Sequence, residues 1–274
     1  MIEKTTLVVG GTGKTGRRVA AGLRARGLPV RIGSRKGDPP FDWADPETWE
    51  SALRDVAAVY IAYHPDLAVP GAAEAVGGLA ARAAAAGVRR LVLLSGRGEE
   101  EARRSEDAVR DSGAEWTIVR ASWFFQNFDE GHLLEPVLGG TVALPAGDVA
   151  EPFVDAGDVA DVAVAALTGP GHAGEVYEVT GPRLLTFAEA AAEISRAAGR
   201  EVRYVSVSAD GYAAMLAEYG VPAGEAEVLA GMFAEILDGR NAWLGDGVQR
   251  ALGRPPRDFA DYAKAAAATG VWSG

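Results

Sequence analysis

The sequence predicts an α/β protein, a doubly wound parallel sheet covered by helices on both faces, with a smaller and mostly helical C-terminal lobe. Three observations carry that expectation. β-rich runs alternate with helical stretches as far as about residue 121, a glycine cluster joins the first run to the first helical stretch, and the alternation then gives way to irregular and helical sequence. In order, Thr5–Val9 is a short β-rich run ending in Gly10-Gly11, and Lys14–Arg26 is the first helix, closed by Gly27. Val30–Ile32 is the second strand, Ala57–Tyr63 the third and Arg90–Ser95 the fourth. The Ala-rich stretch Gly71–Ala86 is helical, and the charged Glu99–Ser112 is a further helix before a strand at Trp116–Val119. In sheets of this kind ligands sit beyond the carboxyl ends of the strands, so functional residues are expected on the loops there.

An aromatic loop, Trp123-Phe124-Phe125-Gln126-Asn127-Phe128, opens the second part, followed by irregular sequence with Pro136, Gly139-Gly140 and Pro145. Helix returns at Asp158–Thr168, with Asp158 as its N-cap, and a strand at Glu175–Val179. Thr186-Phe187-Ala188-Glu189 has capping-box spacing and opens a helix that runs to Ala198. From Ser208 the chain is mostly helical, with a break at Pro255-Pro256. The expected division is a first domain of residues 1–128 and 155–180, and a lobe of 129–154 and 181–274 lying over the strand ends.

Composition narrows the function classes. The 274 residues suffice for one large α/β domain, alone or with a small appendage. Lys+Arg number 27 against 38 Asp+Glu, a net charge of −11, so the chain gains nothing from counterion release and nucleic acid is not an expected partner. The absence of cysteine excludes disulfides, zinc–thiolate sites, Fe–S clusters and a Cys nucleophile, and suits a reducing cytosol. No apolar run approaches the ~18 residues of a membrane span, and Met1-Ile2-Glu3-Lys4 leads straight into a strand without leader anatomy. A soluble, cytoplasmic monomer or homodimer with no membrane partner is expected. No cluster has metal-ligand spacing, Asp155 and Asp158 included.

Gly10-Gly11-Thr12-Gly13-Lys14-Thr15-Gly16 contains G-x-G-x-x-G, follows a strand and opens a helix, which is the context a dinucleotide-binding loop requires. Glycine allows the tight turn and the approach of backbone to pyrophosphate, and the helix N-terminus offers free N–H groups and a positive dipole end. A Walker loop is excluded by the spacing before Lys14. NAD-preferring sites place a carboxylate at the end of the second strand to bind the ribose 2′-OH. Here that strand ends Gly33-Ser34-Arg35-Lys36, with no carboxylate before Asp38. A guanidinium beside a hydroxyl suits a 2′-phosphate, which favours NADP(H) with NAD(H) as the alternative, unless Arg35 stacks on adenine or is a solvated turn residue.

Thr12–Val19, Gly33-Ser34-Arg35, and Phe41-Asp42-Trp43 followed by Asp45-Pro46-Glu47-Thr48-Trp49 resemble the NmrA-like atypical short-chain dehydrogenases. Within that family the chain is similar to bacterial relatives of the agroclavine and festuclavine dehydrogenases. Ser112-Gly113, Trp116–Arg120, Phe124–Asn127, Pro152–Asp155, Asp158-Val159-Ala160, Gly247-Val248 and Gly253–Arg257 extend the resemblance over nearly the whole chain. It implies a Rossmann-type fold and cofactor contacts from Gly10, Thr12, Gly13, Lys14, Thr15, Gly16, Ser34, Arg35, Asp42, Ala62 and Ser95. Trp123, Phe124, Phe125, Asn127 and His132 are the candidate substrate residues. His64 and Tyr63, at the end of the third strand, and Ser95, where the fold puts a nicotinamide-facing hydroxyl, are the candidate catalytic residues. Each has a plain alternative as a loop, turn or packing residue.

The chain departs from mainstream short-chain dehydrogenases in one decisive respect. Those enzymes use Tyr-x-x-x-Lys, whose Tyr donates a proton. None of the seven tyrosines here has Lys four residues on, and the lysines are only Lys4, Lys14, Lys36 and Lys264. Two readings stand. The first is an oxidoreductase of secondary metabolism whose acceptor is an iminium, a quinone or an aromatic polyketide, with net hydroxylation open through a reduced, oxygen-reactive product. The second is a dinucleotide-binding redox sensor without catalysis.

Overall fold

A computed structural model of the chain describes residues 5–273. The reading of Met1–Lys4 as a direct lead into a strand lies outside them, as does Gly274. The elements in chain order are β1 (Thr5–Val9), α1 (Lys14–Ala25), β2 (Val30–Gly33), α2 (Glu47–Leu53), β3 (Val56–Ile61), α3 (Ala72–Ala85), β4 (Arg90–Gly96), α4 (Glu100–Arg110) and β5 (Glu115–Ala121). They continue with α5 (Leu134–Leu138), β6 (Thr141–Leu144), β7 (Ala150–Glu151), α6 (Ala156–Thr168), β8 (Glu175–Val179), β9 (Leu185–Thr186), α7 (Phe187–Ala198) and β10 (Arg203–Ser206). Last come α8 (Ala209–Glu218), α9 (Ala223–Ile236), α10 (Gly247–Leu252) and α11 (Phe259–Ala268).

These elements form two compact units. The first holds the described chain up to Ala121 together with Ala156–Val179 and Gly245–Pro255; the second holds Ser122–Asp155, Thr180–Leu244 and the described chain from Pro256. The expected boundaries thus shift at two places. The aromatic loop from Trp123 belongs to the second unit, and Gly245–Pro255 returns to the first.

The first unit is built on a six-stranded sheet in the order β2-β1-β3-β4-β5-β8, with every pair parallel. Helices cover both faces, so β1, β3 and β4 read as nearly unbroken apolar runs. Leu7, Val8, Val9, Val59, Ile61, Leu91, Val92 and Leu93 are accordingly all buried. In α1 the buried residues Thr15, Gly16, Val19, Ala20 and Leu23 recur at helical spacing and give it one sheet-facing stripe. The short helix α2, which the sequence did not predict, buries Trp49, Ala52 and Leu53. The return of Gly245–Pro255 has a steric reason: a Cβ on Gly247 would meet the Glu178 carbonyl oxygen on β8 at 2.6 Å. Arg254 then closes on α6, 2.7 Å from both Asp158 and Asp161. Because α6 begins at Ala156, Asp158 is not the N-cap of this helix. It sits in the first turn, fully buried, as a partner of Arg254.

The second unit has two small sheets, a parallel pair β10-β6 and an antiparallel pair β7-β9. The predicted capping box opens α7: Thr186 Oγ1 accepts from Glu189 N, and the Glu189 carboxylate accepts from Thr186 N. Its core is aromatic, with Phe125, Phe128, Phe153, Phe187, Phe259 and Trp272 all buried. The Trp272 indole N–H donates to the Phe128 carbonyl at 2.9 Å, which ties the C-terminal segment to the aromatic loop.

Candidate active site

The order of the sheet changes direction at β1, between β2 and β3, and the crevice beyond the strand ends at such a point is where ligands bind in open α/β sheets. Two predicted stretches meet there. A Cβ on Gly10 would lie 2.9 Å from the Ala62 carbonyl oxygen, so the loop after β1 and the end of β3 are in backbone contact. Gly10 also takes a φ of +71°, which favours glycine.

The other glycines of the loop separate by role. A Cβ on Gly16 would overlap the Gly10 carbonyl oxygen, and one on Gly11 would meet the Val8 carbonyl oxygen at 2.8 Å, so both positions are closed by packing. Gly13 is different. Its Cβ would touch only the Gly10 oxygen, at 3.2 Å, and its φ of −78° and ψ of 179° suit any residue. Gly13 is the N-cap of α1 and has no side chain to satisfy the first N–H groups of the helix. Thr12 is exposed beside it and Lys14 is half-buried. This is a backbone cradle at the positive end of a helix dipole, and a dinucleotide pyrophosphate fits it. Thr15, by contrast, points inward, where its hydroxyl accepts from the buried Tyr60 at 2.9 Å. Any contact of Thr15 with the cofactor would then come from its backbone N–H in the first turn of α1.

At the end of β2, the Ser34 carbonyl accepts from both Gly37 N and Phe41 N, which curls the turn. Arg35 is exposed and makes no hydrogen bond or ion pair among the described residues. Asp42 shapes the following loop: its carbonyl accepts the Trp49 indole N–H at 2.7 Å, and its carboxylate accepts from Ala44 N. Beyond β3, the Tyr63 ring packs on Trp43 at 4.8 Å, beside Phe41 and Trp49, and His64 is exposed.

Ser95 is buried, and its hydroxyl donates to Glu106 Oε1 at 2.7 Å. The hydroxyl thus serves an internal network rather than facing the strand end. Glu106, on α4, is fully buried and receives Arg120 through two nitrogens, at 2.8 and 2.6 Å. Arg120 also reaches Glu178 at 2.9 Å, and the buried Arg97 bonds Glu178 at 2.8 Å. Hydrogen bonds from Arg120 to Glu106 raise the guanidinium pKa beyond its usual range despite partial burial. Alternating charges let this cluster stay ionised beneath the ends of β4, β5 and β8.

Glu99 stands apart. It is the N-cap residue of α4, yet its side chain makes no capping bond. The carboxyl folds back into the space that a Cβ on Gly96 would fill, at the end of β4. It makes no hydrogen bond and no ion pair among the described residues. Burial first, and then the Asp66 carboxylate on the loop after β3, push its pKa up to about 7.

In the second unit the aromatic loop divides. Phe125 is a core residue, packed on Phe259 at 5.0 Å and Tyr262 at 5.2 Å, so it is not a substrate contact. Trp123, Phe124 and Asn127 are half-buried and His132 is exposed. Trp123 lies against His132, Phe187 and Phe233, and its indole N–H is buried with no partner among the described residues.

Sequence reasoning missed Glu99 and the Glu106–Arg120–Glu178–Arg97 cluster. Arg120 alone had a signal, as part of the Trp116–Arg120 resemblance. A cavity of about 180 Å³ lined by Arg90, Glu115, Thr117 and His172 lies at the opposite, amino-terminal ends of the strands. Among the described residues no cluster of three or more His, Asp or Glu is placed to hold a metal, and no helix is long and apolar enough to cross a membrane.

Comparison with known proteins agrees with this geometry. A family model described as NAD(P)H-binding matches residues 40–170. The chain is 37% identical to a (4-alkanoyl-5-oxo-2,5-dihydrofuran-3-yl)methyl phosphate reductase of Streptomyces griseus, over 93% of this chain and 95% of that protein. It is 32% identical to agroclavine dehydrogenase of Claviceps fusiformis, over 94% of this chain and 96% of that protein. The fold matches the triphenylmethane reductase of Citrobacter sp. complexed with NADP(H), with a TM-score of 0.76 at 21% identity, over 96% of this chain and 99% of that one. With relatives of 32–37% identity aligned along nearly its full length, the chain belongs to the family of NAD(P)H-binding oxidoreductases that includes them.

Proposed function

We propose that this oxidoreductase is a reductase of secondary metabolism whose acceptor is polycyclic or aromatic: a cyclic iminium, a quinone or an aromatic polyketide. The observation that carries the reading is Gly13, which heads a twelve-residue helix and has open space where the neighbouring glycines are closed by packing. Gly10–Gly16 would hold the pyrophosphate through backbone N–H groups. Ser34 and the unpaired Arg35 would take the 2′-phosphate, which favours NADP(H) over NAD(H). Asp42 and Ala62 shape the rest of the crevice. When bound, the cofactor supplies a hydride. By their names, one relative acts on agroclavine and another on a (4-alkanoyl-5-oxo-2,5-dihydrofuran-3-yl)methyl phosphate, and both support a small-molecule acceptor. A chain without cysteine suits a reducing cytoplasm, where it is expected to work.

The test is NADPH oxidation against cyclic iminiums, naphthoquinones, aromatic polyketides and small ketones, with oxygen uptake followed in parallel. Turnover confined to the first three classes supports the reading, and oxygen uptake would extend it to net hydroxylation. Tight dinucleotide binding with no turnover on the whole panel overturns it in favour of a sensor.

A further inference from the structure

We propose that Glu99 is the proton donor that replaces the missing Tyr-x-x-x-Lys pair, delivering a proton from the end of β4 to acceptors that become anionic when they receive a hydride. The inference rests on the reductase reading above and adds the acid that the sequence lacks.

The argument begins with what the carboxyl groups of the first unit do. Glu106, Glu178 and Asp158 are each held by arginine, from Arg120, Arg97 and Arg254. A half-buried carboxyl without such a partner has no stabilising reason to be charged, because burial penalises the ion. Asp42 and Asp66 at least accept backbone N–H bonds, from Ala44 and Ala68, whereas the Glu99 carboxyl has neither an arginine nor a hydrogen bond among the described residues. Its place is also particular: the loop after β4 is next to the loop after β3 in the sheet, and both lie at the carboxyl ends where ligands bind. Gly96 makes the position possible, since any side chain there would displace the carboxyl.

Its charged neighbours do not neutralise it. Asp66, on the loop after β3, adds a second negative charge and itself accepts from Ala68 N. His64, on the same loop, is exposed. Arg97 is committed to Glu178, and on α4 Glu100 pairs with Arg103. With its pKa raised to about 7, Glu99 is protonated in a large fraction of molecules near neutral pH and can release that proton to a nearby base, which is what a general acid needs.

The step balances. A quinone or conjugated carbonyl takes a hydride at carbon from the reduced dinucleotide, and its developing oxyanion takes the Glu99 proton. The acceptor is reduced by two electrons, the dinucleotide is oxidised by two, and the resulting carboxylate recovers a proton from water. An iminium needs only the hydride, because it becomes a neutral amine.

The experiment compares wild type, Glu99→Gln, Glu99→Asp, Asp66→Asn and the exposed control Glu100→Gln. Rates with a naphthoquinone and a cyclic iminium are measured from pH 5 to 9, with NADPH affinity measured by fluorescence. The wild-type quinone kcat/KM should fall as pH rises through about 7, where Glu99 loses its proton. Glu99→Gln should lower the quinone rate ~10²-fold, lower the iminium rate far less and abolish that limb. Glu99→Asp should restore part of the rate. Asp66→Asn should move the limb to lower pH, because it removes a like charge, and Glu100→Gln should not move it. A quinone limb that persists in Glu99→Gln overturns the proposal and leaves the reductase reading intact.

A second readout needs no turnover. Carboxyl carbon NMR of the NADPH-bound protein, with the Glu99 signal assigned by its loss in Glu99→Gln, should show titration near 7. Titration at an ordinary carboxylate value overturns the proposal. Failure of wild type on every acceptor overturns the reductase reading and the donor role with it.

Discussion

Replacing Gly13 by valine separates the ligand from the fold. The backbone at residue 13 is extended, at φ −78° and ψ 179°, so valine adopts it without strain. Its Cβ would press only on the Gly10 carbonyl oxygen, at 3.2 Å. Two small stability effects oppose each other. An apolar N-cap costs a few tenths to ~1 kcal/mol relative to glycine, and the loss of unfolded-chain freedom returns ~0.4–1 kcal/mol. The net change in Tm should stay within about 4 °C. The effect on the cofactor is much larger. Two branched methyl groups occupy the mouth of the cradle, and loss of two charge-assisted bonds from backbone N–H to pyrophosphate costs ~3–6 kcal/mol. That corresponds to ~10²–10⁴-fold in Kd. Gly16→Ala is the control in the opposite sense, because its Cβ overlaps the Gly10 carbonyl oxygen and forces the backbone to move, at ~1–3 kcal/mol. The assays are fluorescence titration with NADPH and thermal unfolding of both variants. Retained NADPH affinity in Gly13→Val, or a loss of Tm as large as that of Gly16→Ala, refutes the reasoning.

Other expectations follow from single contacts. Arg35→Ala should weaken NADPH by roughly ten- to a hundred-fold and leave NADH nearly unchanged by calorimetry, because only the 2′-phosphate loses a charge-assisted bond; equal losses would show that Arg35 stacks or shapes the loop. Glu106→Ala should destabilise the protein by ~3–5 kcal/mol, since it strips a buried carboxylate from Arg120, and a melting temperature unchanged within about 2 °C would refute that. Hydrogen bonds from Arg183 hold the Asp258 carboxyl below its ordinary pKa. Such a group stabilises the fold above its unfolded pKa and loses that contribution as pH falls through its folded one. Asp258→Asn should therefore be less stable than wild type at pH 7, in a gap that closes below about pH 4, and it keeps an N-cap oxygen for Ala260 N. No salt-sensitive gel shift with DNA is expected at a net charge of −11, and a defined retarded complex would contradict this.

Local chemistry made much of this molecule legible in its sequence. The alternation of apolar runs and helical stretches gave the parallel sheet, because strands buried on both faces must be apolar throughout. The Gly10–Gly16 spacing located the glycine loop that heads α1, and Thr186 with Glu189 located the start of α7, because helix ends are satisfied by residues a few positions away. What the sequence could not decide depends on partners distant in the chain. Thr15 turns inward because Tyr60 of β3 meets it, and Asp158, inside a helix that begins at Ala156, meets Arg254 from 96 residues later. Phe125 and Trp123 look alike in an aromatic loop, yet Phe259 and Tyr262 bury the first in the core while the second keeps an unpaired N–H. Ser95 became part of an internal network only when α4 brought Glu106 to it. Glu99 carries no motif at all. Its carboxyl acquires a character of its own from Gly96, Asp66 and the lack of an arginine, and burial and charge are properties of the folded surroundings rather than of the residue.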